Sequence, residues 1–177
     1  MKFESRARIN GTVEEVEAAL TDDRYLEYLL KHHGVLLEVQ LIEKKDEGAK
    51  IRRKVRYRPK PVIESIGPKK VPHEWFAFIE TSTWDKTRKE LSFTNVPTSN
   101  KIASMLVNSG VLRLRDAGNG QTERTMDGDI HLKLPFLLKP LAIIAEAVIH
   151  REGLKILDNE VPVLNRYISE VVRAPKP

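Results

Sequence analysis

The most apolar stretch of the chain lies near its C-terminal end and reads PFLLKPLAIIAEAVIHREG, Pro135 to Gly153. A membrane span needs about 20 consecutive apolar residues with few or no charges, and this stretch contains Lys139, Glu146 and two prolines. Apolar residues instead recur at a period near 3.6, which predicts an amphipathic helix from about 140 to 172. Such a helix would be on the order of 48 Å long, with Gly153 and Pro162 expected to bend it.

The remainder of the chain is dominated by alternating apolar and polar residues, the pattern of half-buried strands. Strands are predicted over Lys2–Ile9, Val35–Glu43, Ala49–Arg58, His73–Thr83, Arg88–Asn95, Ser109–Ala117 and Gln121–Leu134. The prolines of Pro59–Pro72 predict a loop. Val96–Asn108 is compatible with a strand extension, a short helix or a mobile lip.

Two short helices are predicted directly after the first strand. Thr12 and Glu15 have the spacing of a capping box, which starts a helix. Asp22 or Asp23 caps a second helix, which begins at Arg24 and ends before Gly34.

An antiparallel sheet with one polar face must cover its apolar face with another element. The long C-terminal helix is the only predicted element large enough to do so. The sequence therefore predicts an α+β fold, in which a curved antiparallel sheet of six to seven strands wraps around this helix. Because a curved sheet and a helix do not match in shape, we expect a cavity between them, with the opening stretch as its wall and mouth.

Particular segments carry a resemblance to a known superfamily. The opening strand leads into Thr12-Val-Glu-Glu-Val, Ser109-Gly110 enters a strand, and GDIHLKLPFLL (Gly128–Leu138) leads into the long helix. Together with the layout, these resemble the START-like (SRPBCC, helix-grip, Bet v 1-like) superfamily, with the closest likeness to an uncharacterised bacterial branch. HEWFAFIETSTWDKTRKELSFTN (His73–Asn95) is more weakly similar to PRELI-type phospholipid-transfer domains. The superfamily resemblance covers nearly the whole chain.

The resemblance implies that residues 1–177 form a single START-like domain with a pocket for a hydrophobic ligand. It does not name the ligand, because relatives include lipid carriers, hormone receptors and polyketide cyclases. Three functions are therefore compatible with the sequence. The preferred one is noncatalytic binding or transfer of a lipid-like or other hydrophobic small molecule. The alternatives are a cyclase- or hydrolase-like enzyme that uses the same cavity, and a basic interaction module with a filled core.

Several kinds of chemistry find no support in the sequence. The chain has no cysteine, so disulfides, thiolate metal sites and cysteine nucleophiles are excluded. It has no G-x-S-x-G elbow, and Gly118-Asn-Gly120 reads as a hairpin turn and not as a phosphate loop. The adjacent His32 and His33 point about 100° apart on a helix and cannot share a metal. We predict no catalytic residue, metal or cofactor.

Strand alternation and the helical stripe predict which side chains line the pocket. They are Leu37, Val39, Ile51, Arg53, Val55, Tyr57, Phe76, Phe78, Phe93, Leu112, Leu114, Ile130, Leu132, Ala145, Ile149 and Ile156. A second set beside flexible segments is predicted to form the pocket lip: Ile102, Met105, Leu106, Phe136, Leu138 and Leu141.

Arg53 stands out in this set, because an inward arginine needs an anionic or hydrogen-bonding partner. A bulge, a salt bridge to a buried carboxylate such as Glu80, or the phosphate or carboxylate of a ligand would each meet that need.

The net charge of +5 favours anionic partners. An outward basic row extends from Lys50 to Arg58, and it reads as a solvated strand face or as a surface for an anionic membrane. Nucleic acid is disfavoured, because single-strand binders interleave aromatic residues with such charges and the only nearby one, Tyr57, belongs to the other face. The expected partners are a hydrophobic small molecule or lipid and, transiently, an anionic membrane. The absence of cysteine and of an apolar N-terminal signal indicates a cytoplasmic location.

Overall fold

The structure, a computed structural model, describes residues 1–61, 65–66, 69–70, 72–103, 106–133 and 139–175. The strands are β1 (Lys2–Ile9), β2 (Leu36–Asp46), β3 (Lys50–Pro59), β4 (Ser65–Ile66), β5 (Lys69–Lys70), β6 (Phe78–Asp85), β7 (Glu90–Pro97), β8 (Leu106–Gly118) and β9 (Gln121–Leu132). The helices are α1 (Val13–Thr21), α2 (Asp23–His32), α3 (Asn100–Ala103) and α4 (Lys139–Tyr167), and a π-helical turn, Ile168–Val172, follows α4.

Seven strands form one antiparallel sheet in the order β1-β9-β8-β7-β6-β3-β2. Strands that follow one another in this sheet pair as neighbours, with β3 and β6 joined by the segment that contains β4 and β5. The exception is β1, which pairs with β9, so that the first and last of these strands lie side by side. The two-residue strands β4 and β5 pair separately. The long helix α4 follows β9 and packs against β1 and β9. The predicted helix-grip α+β fold is confirmed.

The first helix begins as the sequence predicts. The backbone N–H of Glu15 donates to Thr12 Oγ1 at 3.3 Å, and the Thr12 N–H donates to Glu15 Oε2 at 2.8 Å. These two bonds are the capping box, which satisfies backbone donors that the first turn leaves free. Asp22 then caps α2 by accepting from the Arg24 N–H at 3.0 Å.

Three segments differ from the prediction or resolve an open alternative. His73–Phe76 forms a 3₁₀ turn after Pro72, and not the start of a strand, so β6 begins only at Phe78. Pro72 is the N-cap of this turn, and because proline has no backbone N–H it cannot donate to a ladder at the start of a strand. The predicted proline-rich loop contains the β4–β5 hairpin. In Val96–Asn108, the described residues form both α3 and an extension of β8.

The hydrophobic core lies where the C-terminal end of α4 meets α1, α2 and one end of the sheet. Leu164 and Ile168 are fully buried there beside Ile9 and Val16. The ring of Tyr167 packs edge-on against Tyr25, with centroids 5.1 Å apart. This end of the interior is therefore filled by protein side chains.

Candidate functional site

The inner face of β3 carries the predicted pocket residues. Ile51, Arg53 and Val55 are buried while Arg52 and Lys54 between them are exposed, which is the alternation of a strand with one face inward. Arg53 is 9% exposed, and its Nη1 donates to the carbonyl oxygen of Leu20 at 2.7 Å. The backbone at the end of α1 thus supplies one partner for the inward guanidinium.

Polar residues form a row across the inner face of the sheet, two residues along β3 from Arg53. Val55 pairs with Glu80, Glu80 with Asn95, and Asn95 with Asn108. Residues directly opposite in antiparallel strands share a face, and Val55 is fully buried. We call Glu80, Asn95 and Asn108 the polar row.

Two oxygen atoms of the polar row lack partners among the described residues. The side-chain oxygens of Asn95 and Asn108 are buried without a hydrogen bond, while the Ser82 hydroxyl lies close enough to the Glu80 carboxyl to lower its pKa by hydrogen bonding. Native proteins satisfy the large majority of buried polar atoms. Two unsatisfied amide oxygens on neighbouring strands therefore indicate a position for another group.

Glu80 is the acidic member of the row. Burial raises the pKa of its carboxyl above the ordinary value, and the nearby Arg53 guanidinium partly offsets this rise. The two side chains do not form a salt bridge within 4 Å in the described part of the chain, so the ion pair considered from the sequence is a longer-range interaction. Glu80 nevertheless retains some accessible surface. A desolvated group that keeps accessible surface is expected to face an internal space.

Tyr57 and Phe78 form an aromatic pair at the same end of the sheet. Their rings stack with centroids 5.4 Å apart, and they are directly opposite in β3 and β6. Burial raises the pKa of the Tyr57 hydroxyl far above its ordinary value, although both residues are only half-buried by accessible surface. Like Glu80, they keep accessible surface on the inner face of the sheet.

Two glycines shape the sheet beside the polar row. Gly110 and Gly128 are directly opposite in β8 and β9. A Cβ atom on Gly110 would lie 2.4 Å from the Asp127 carbonyl oxygen and 2.8 Å from Phe93 Cζ, and one on Gly128 would lie 2.4 Å from Phe3 Cζ. The absent side chains let both phenyl rings lie against the sheet. The centroids of the His150 ring of α4 and the Phe3 ring lie 6.5 Å apart in an edge-on arrangement. The helix α4 therefore crosses over the inner face of the sheet at Phe3.

The remaining predicted pocket residues differ in how deeply they are buried. Those packed into the buried part of the inner face are Ile51, Val55, Phe93, Leu112, Leu114 and Ile130. Val39 is half-buried opposite Tyr57. Phe76 is half-buried in the 3₁₀ turn, and Ile156 is half-buried in α4.

Leu37 does not follow the predicted alternation. The pairs Leu36–Pro59 and Glu38–Arg58 leave Leu37 as an extra residue in a bulge, and its side chain is 41% exposed. The inward position assigned to Leu37 from the sequence is therefore corrected. A bulge inserts one residue into one strand and shifts the alternation, and nothing in the local sequence predicts it.

Part of the predicted site falls outside the described structure. Met105, Phe136 and Leu138 of the lip lie outside the described residues, and so do the side chains of Ile102, Leu132, Leu141, Ala145 and Ile149. Of the lip, Leu106 is described and is half-buried at the start of β8.

A buried ion pair that the sequence analysis did not identify lies deeper in the interior. Arg124 is 2% exposed, and its Nη1 donates to Glu160 Oε2 at 2.6 Å while Nη2 donates to the Leu157 carbonyl at 3.1 Å. The Tyr25 hydroxyl donates to the other Glu160 oxygen at 3.2 Å. The alternation of β9 in the sequence could have identified Arg124 as inward, because Arg124 shares the parity of the inward residues Met126 and Ile130. Asn95 likewise shares the parity of Phe93.

The outward basic row of β3 has partners within the chain. Arg56 and Arg58 form salt bridges with Glu38 at 3.0 and 3.1 Å. Lys54 pairs with Glu43 at 2.9 Å, and Arg52 pairs with Glu47 at 3.2 Å. The edge strand β2 and the turn after it therefore supply acidic residues that pair with the basic row. These pairs account for the row of basic residues without a nucleic acid or a membrane.

A surface depression of about 670 Å³ in the described part of the chain includes Phe93 of the predicted pocket, with Phe3, Gly110 and Gly128 beside it. A second groove, of about 410 Å³, lies between the end of α2 and the C-terminal part of α4 and contains none of the predicted pocket residues. Its lining residues are His32, His33, Gly34, Val35, Asn159, Pro162, Val163 and Arg166. The nearby His33 Nε2 is 2.9 Å from the Ile156 carbonyl, so His33 serves as a link between helices. The described residues contain no cluster of three acidic or histidine side chains placed to hold a metal ion, and among them no helix is long and apolar enough to cross a membrane.

Comparison with solved structures supports the fold over nearly the whole chain. The Zhui aromatase/cyclase from Streptomyces sp. R1128 superposes with a TM-score of 0.65 at 14% identity, covering 98% of this chain and 96% of that one. Norcoclaurine synthase from Thalictrum flavum, in complex with dopamine and hydroxybenzaldehyde, gives a TM-score of 0.63 at 12% identity, covering 99% and 89%. A START superfamily protein from Mycobacterium smegmatis gives 0.53 at 9% identity, covering 96% and 98%.

These similarities show that the chain has the START-like fold that the sequence resembles, while the weaker PRELI likeness stays a prediction. No curated protein matches the chain significantly in sequence. One family model does match, over residues 4–168. The chain therefore belongs to the family described as "Protein of unknown function (DUF2505)".

Proposed function

We propose that residues 1–177 form a single domain that binds, without catalysis, a hydrophobic small molecule between the inner face of the sheet and α4. Transfer of a lipid-like molecule between membranes or proteins is one form that this function takes. The predicted lining residues of the inner face and of α4 are the proposed contacts, except Leu37, which lies in a bulge. Ile51, Leu112 and Leu114 are also excepted, because they pack in the filled core.

One observation supports the proposal, namely that the inner face is buried at one end, whereas described residues at the other end keep accessible surface. Ile51 and Trp84, which pair in β3 and β6, are buried in the core. Six residues along the same strands, the pair Tyr57 and Phe78 keeps accessible surface although Tyr57 is strongly desolvated. Apolar and aromatic walls around a space with few polar groups are the usual composition of small-molecule sites.

Binding of a fluorescent apolar probe, 1-anilinonaphthalene-8-sulfonate, tests this proposal. Phe78→Ser removes one wall of the proposed site, and we expect at least a tenfold weaker affinity. Val96→Ser is the matched control, because Val96 lies on the outer face of the neighbouring strand and is exposed. Equal affinity of both variants and the wild type, with the fold retained by circular dichroism, would contradict the proposal.

The enzymatic alternative has one specific observation in its favour. Glu80 is a desolvated carboxyl with a raised pKa, and Arg53 and Tyr57 lie near it, which is an arrangement found where proton transfer occurs. The two functions differ in the fate of the ligand. A molecule that copurifies with the protein should keep its mass when incubated with fresh protein, whereas conversion that Glu80→Gln abolishes would favour the enzyme.

The predicted lip and its contact with anionic membranes stay part of the proposal. Leu106 and the neighbouring Val107, which is exposed, are its described apolar members. Co-sedimentation with liposomes, with and without anionic lipid, should show binding that Leu106→Glu together with Leu138→Glu abolishes. Failure of the wild-type protein to co-sediment with anionic liposomes would rule out the lip.

A further inference from the structure

We propose that the polar row of Glu80, Asn95 and Asn108 recognises hydroxyl groups on a rigid, ring-shaped apolar ligand, so that the molecule bound is a ring alcohol or phenol and not a plain acyl chain. This inference rests on the proposed function and names the chemical class of its ligand.

The first support is the placement of the row on one face of three adjacent strands. Glu80, Asn95 and Asn108 are direct cross-strand partners in β6, β7 and β8. Neighbouring strands are roughly 5 Å apart, so the row presents polar groups at that spacing over about 10 Å. An aromatic ring with two hydroxyl groups in a 1,3 relation places its oxygens at a similar spacing.

The second support is that the side-chain oxygens of Asn95 and Asn108 lack hydrogen-bond partners. The amide oxygens of Asn95 and Asn108 are buried and accept no hydrogen bond from the described protein. A buried acceptor without a partner lowers stability. A hydroxyl group both donates and accepts, so it suits the amides in either orientation and the Glu80 carboxyl in either protonation state.

The third support is the apolar surface that surrounds the row. Phe93 lies beside it against Gly110, and Tyr57 and Phe78 stack on the other side. Flat rings pack well against aromatic side chains and glycine backbone. A hydrocarbon chain would match these walls but would leave the amide oxygens unpaired, and a site built to hydrogen-bond a hydroxyl discriminates strongly against an analogue that lacks it.

Three probes of defined chemistry test the inference by titration calorimetry on the full chain: 1,3-dihydroxynaphthalene, naphthalene and palmitate. We expect wild-type protein to bind the diol at least tenfold more tightly than naphthalene. Asn95→Leu with Asn108→Leu should remove this preference, since leucine has a similar volume and no polar atom. The control is Thr94→Leu with Ser109→Leu, the next cross-strand pair along β7 and β8, which lies on the outer face and should keep the preference.

The outcomes separate this inference from the proposed function. Equal affinity of wild-type protein for the diol and naphthalene would overturn the inference, with ordered water as the occupant of the row, and would leave the proposed function intact. Binding of palmitate with no binding of the diol would overturn it as well. Failure to bind any of the three probes would contradict both. The comparison of the diol with naphthalene uses wild-type protein alone, so it holds even if the leucine variant does not fold.

Discussion

At the scale of single residues, the buried carboxyl of Glu80 makes the stability of the folded protein depend on pH. In the unfolded chain its carboxyl ionises near the ordinary pKa of 4.5, while burial raises the pKa in the folded protein. Above pH 4.5 the unfolded state therefore loses this proton more readily than the folded state. The contribution of Glu80 to stability is complete below that pH and is lost as the pH rises through the folded-state pKa.

Glu80→Gln removes this titration, because glutamine stays neutral. We expect the unfolding free energy of the variant, relative to the wild type, to increase as the pH rises from 4 to 8. Urea denaturation at several pH values measures this difference. A difference that stays constant or falls with pH would show that Glu80 is not desolvated in the folded protein.

Arg124 is the other inward charge whose removal has a large expected effect. Arg124→Met would leave Glu160 without its cationic partner in the interior, and we expect the unfolding free energy to fall by about 3 kcal/mol. Arg113→Met on the outer face is the control. Arg113 also pairs with carboxylates, those of Glu90 and Asp127, but near-surface pairs contribute about 1 kcal/mol or less. Equal losses in both variants by denaturant unfolding would contradict the assigned role of Arg124.

At the scale of elements, glycine has opposite roles in the sheet and in α4. Gly110 lies where a Cβ would strike the Asp127 backbone, whereas a Cβ on Gly153 would meet nothing within 4 Å. We expect Gly110→Ala to lower the unfolding free energy by about 2 to 3 kcal/mol, as overpacking does. Gly153→Ala should raise it by up to about 1 kcal/mol, because alanine favours the helix. Thermal melts of the two variants that shift in the same direction would contradict this account of the two elements.

The elements also show what the sequence predicts well. The bounds of β1 and the capping box at Thr12 agree with the prediction, because alternation and capping are local patterns. Leu37 does not follow the predicted alternation, because it is an extra residue in a bulge of β2 where the pairing with β3 shifts. Register shifts depend on the partner strand, which a single strand sequence does not specify.

At the scale of the whole molecule, the packing of α4 on the curved sheet follows from patterning, since only that helix is long enough to cover the apolar face. The composition of the interior was predicted less well. Arg53 was identified as inward, but Arg124, Asn95 and Asn108 were not, although alternation places them on the same face. Polar groups that the fold turns inward are overlooked when only apolar residues are counted as lining the pocket. Whether such groups find partners depends on contacts between strands distant in sequence.

Native mass spectrometry of the protein purified from cells tests whether the interior holds a hydrophobic small molecule. We predict a species heavier than the 177-residue chain by the mass of one such molecule, released by organic extraction and reduced in Phe78→Ser but not in Val96→Ser. A spectrum with only the mass of the chain, together with failure of the purified protein to take up added apolar probes, would contradict it.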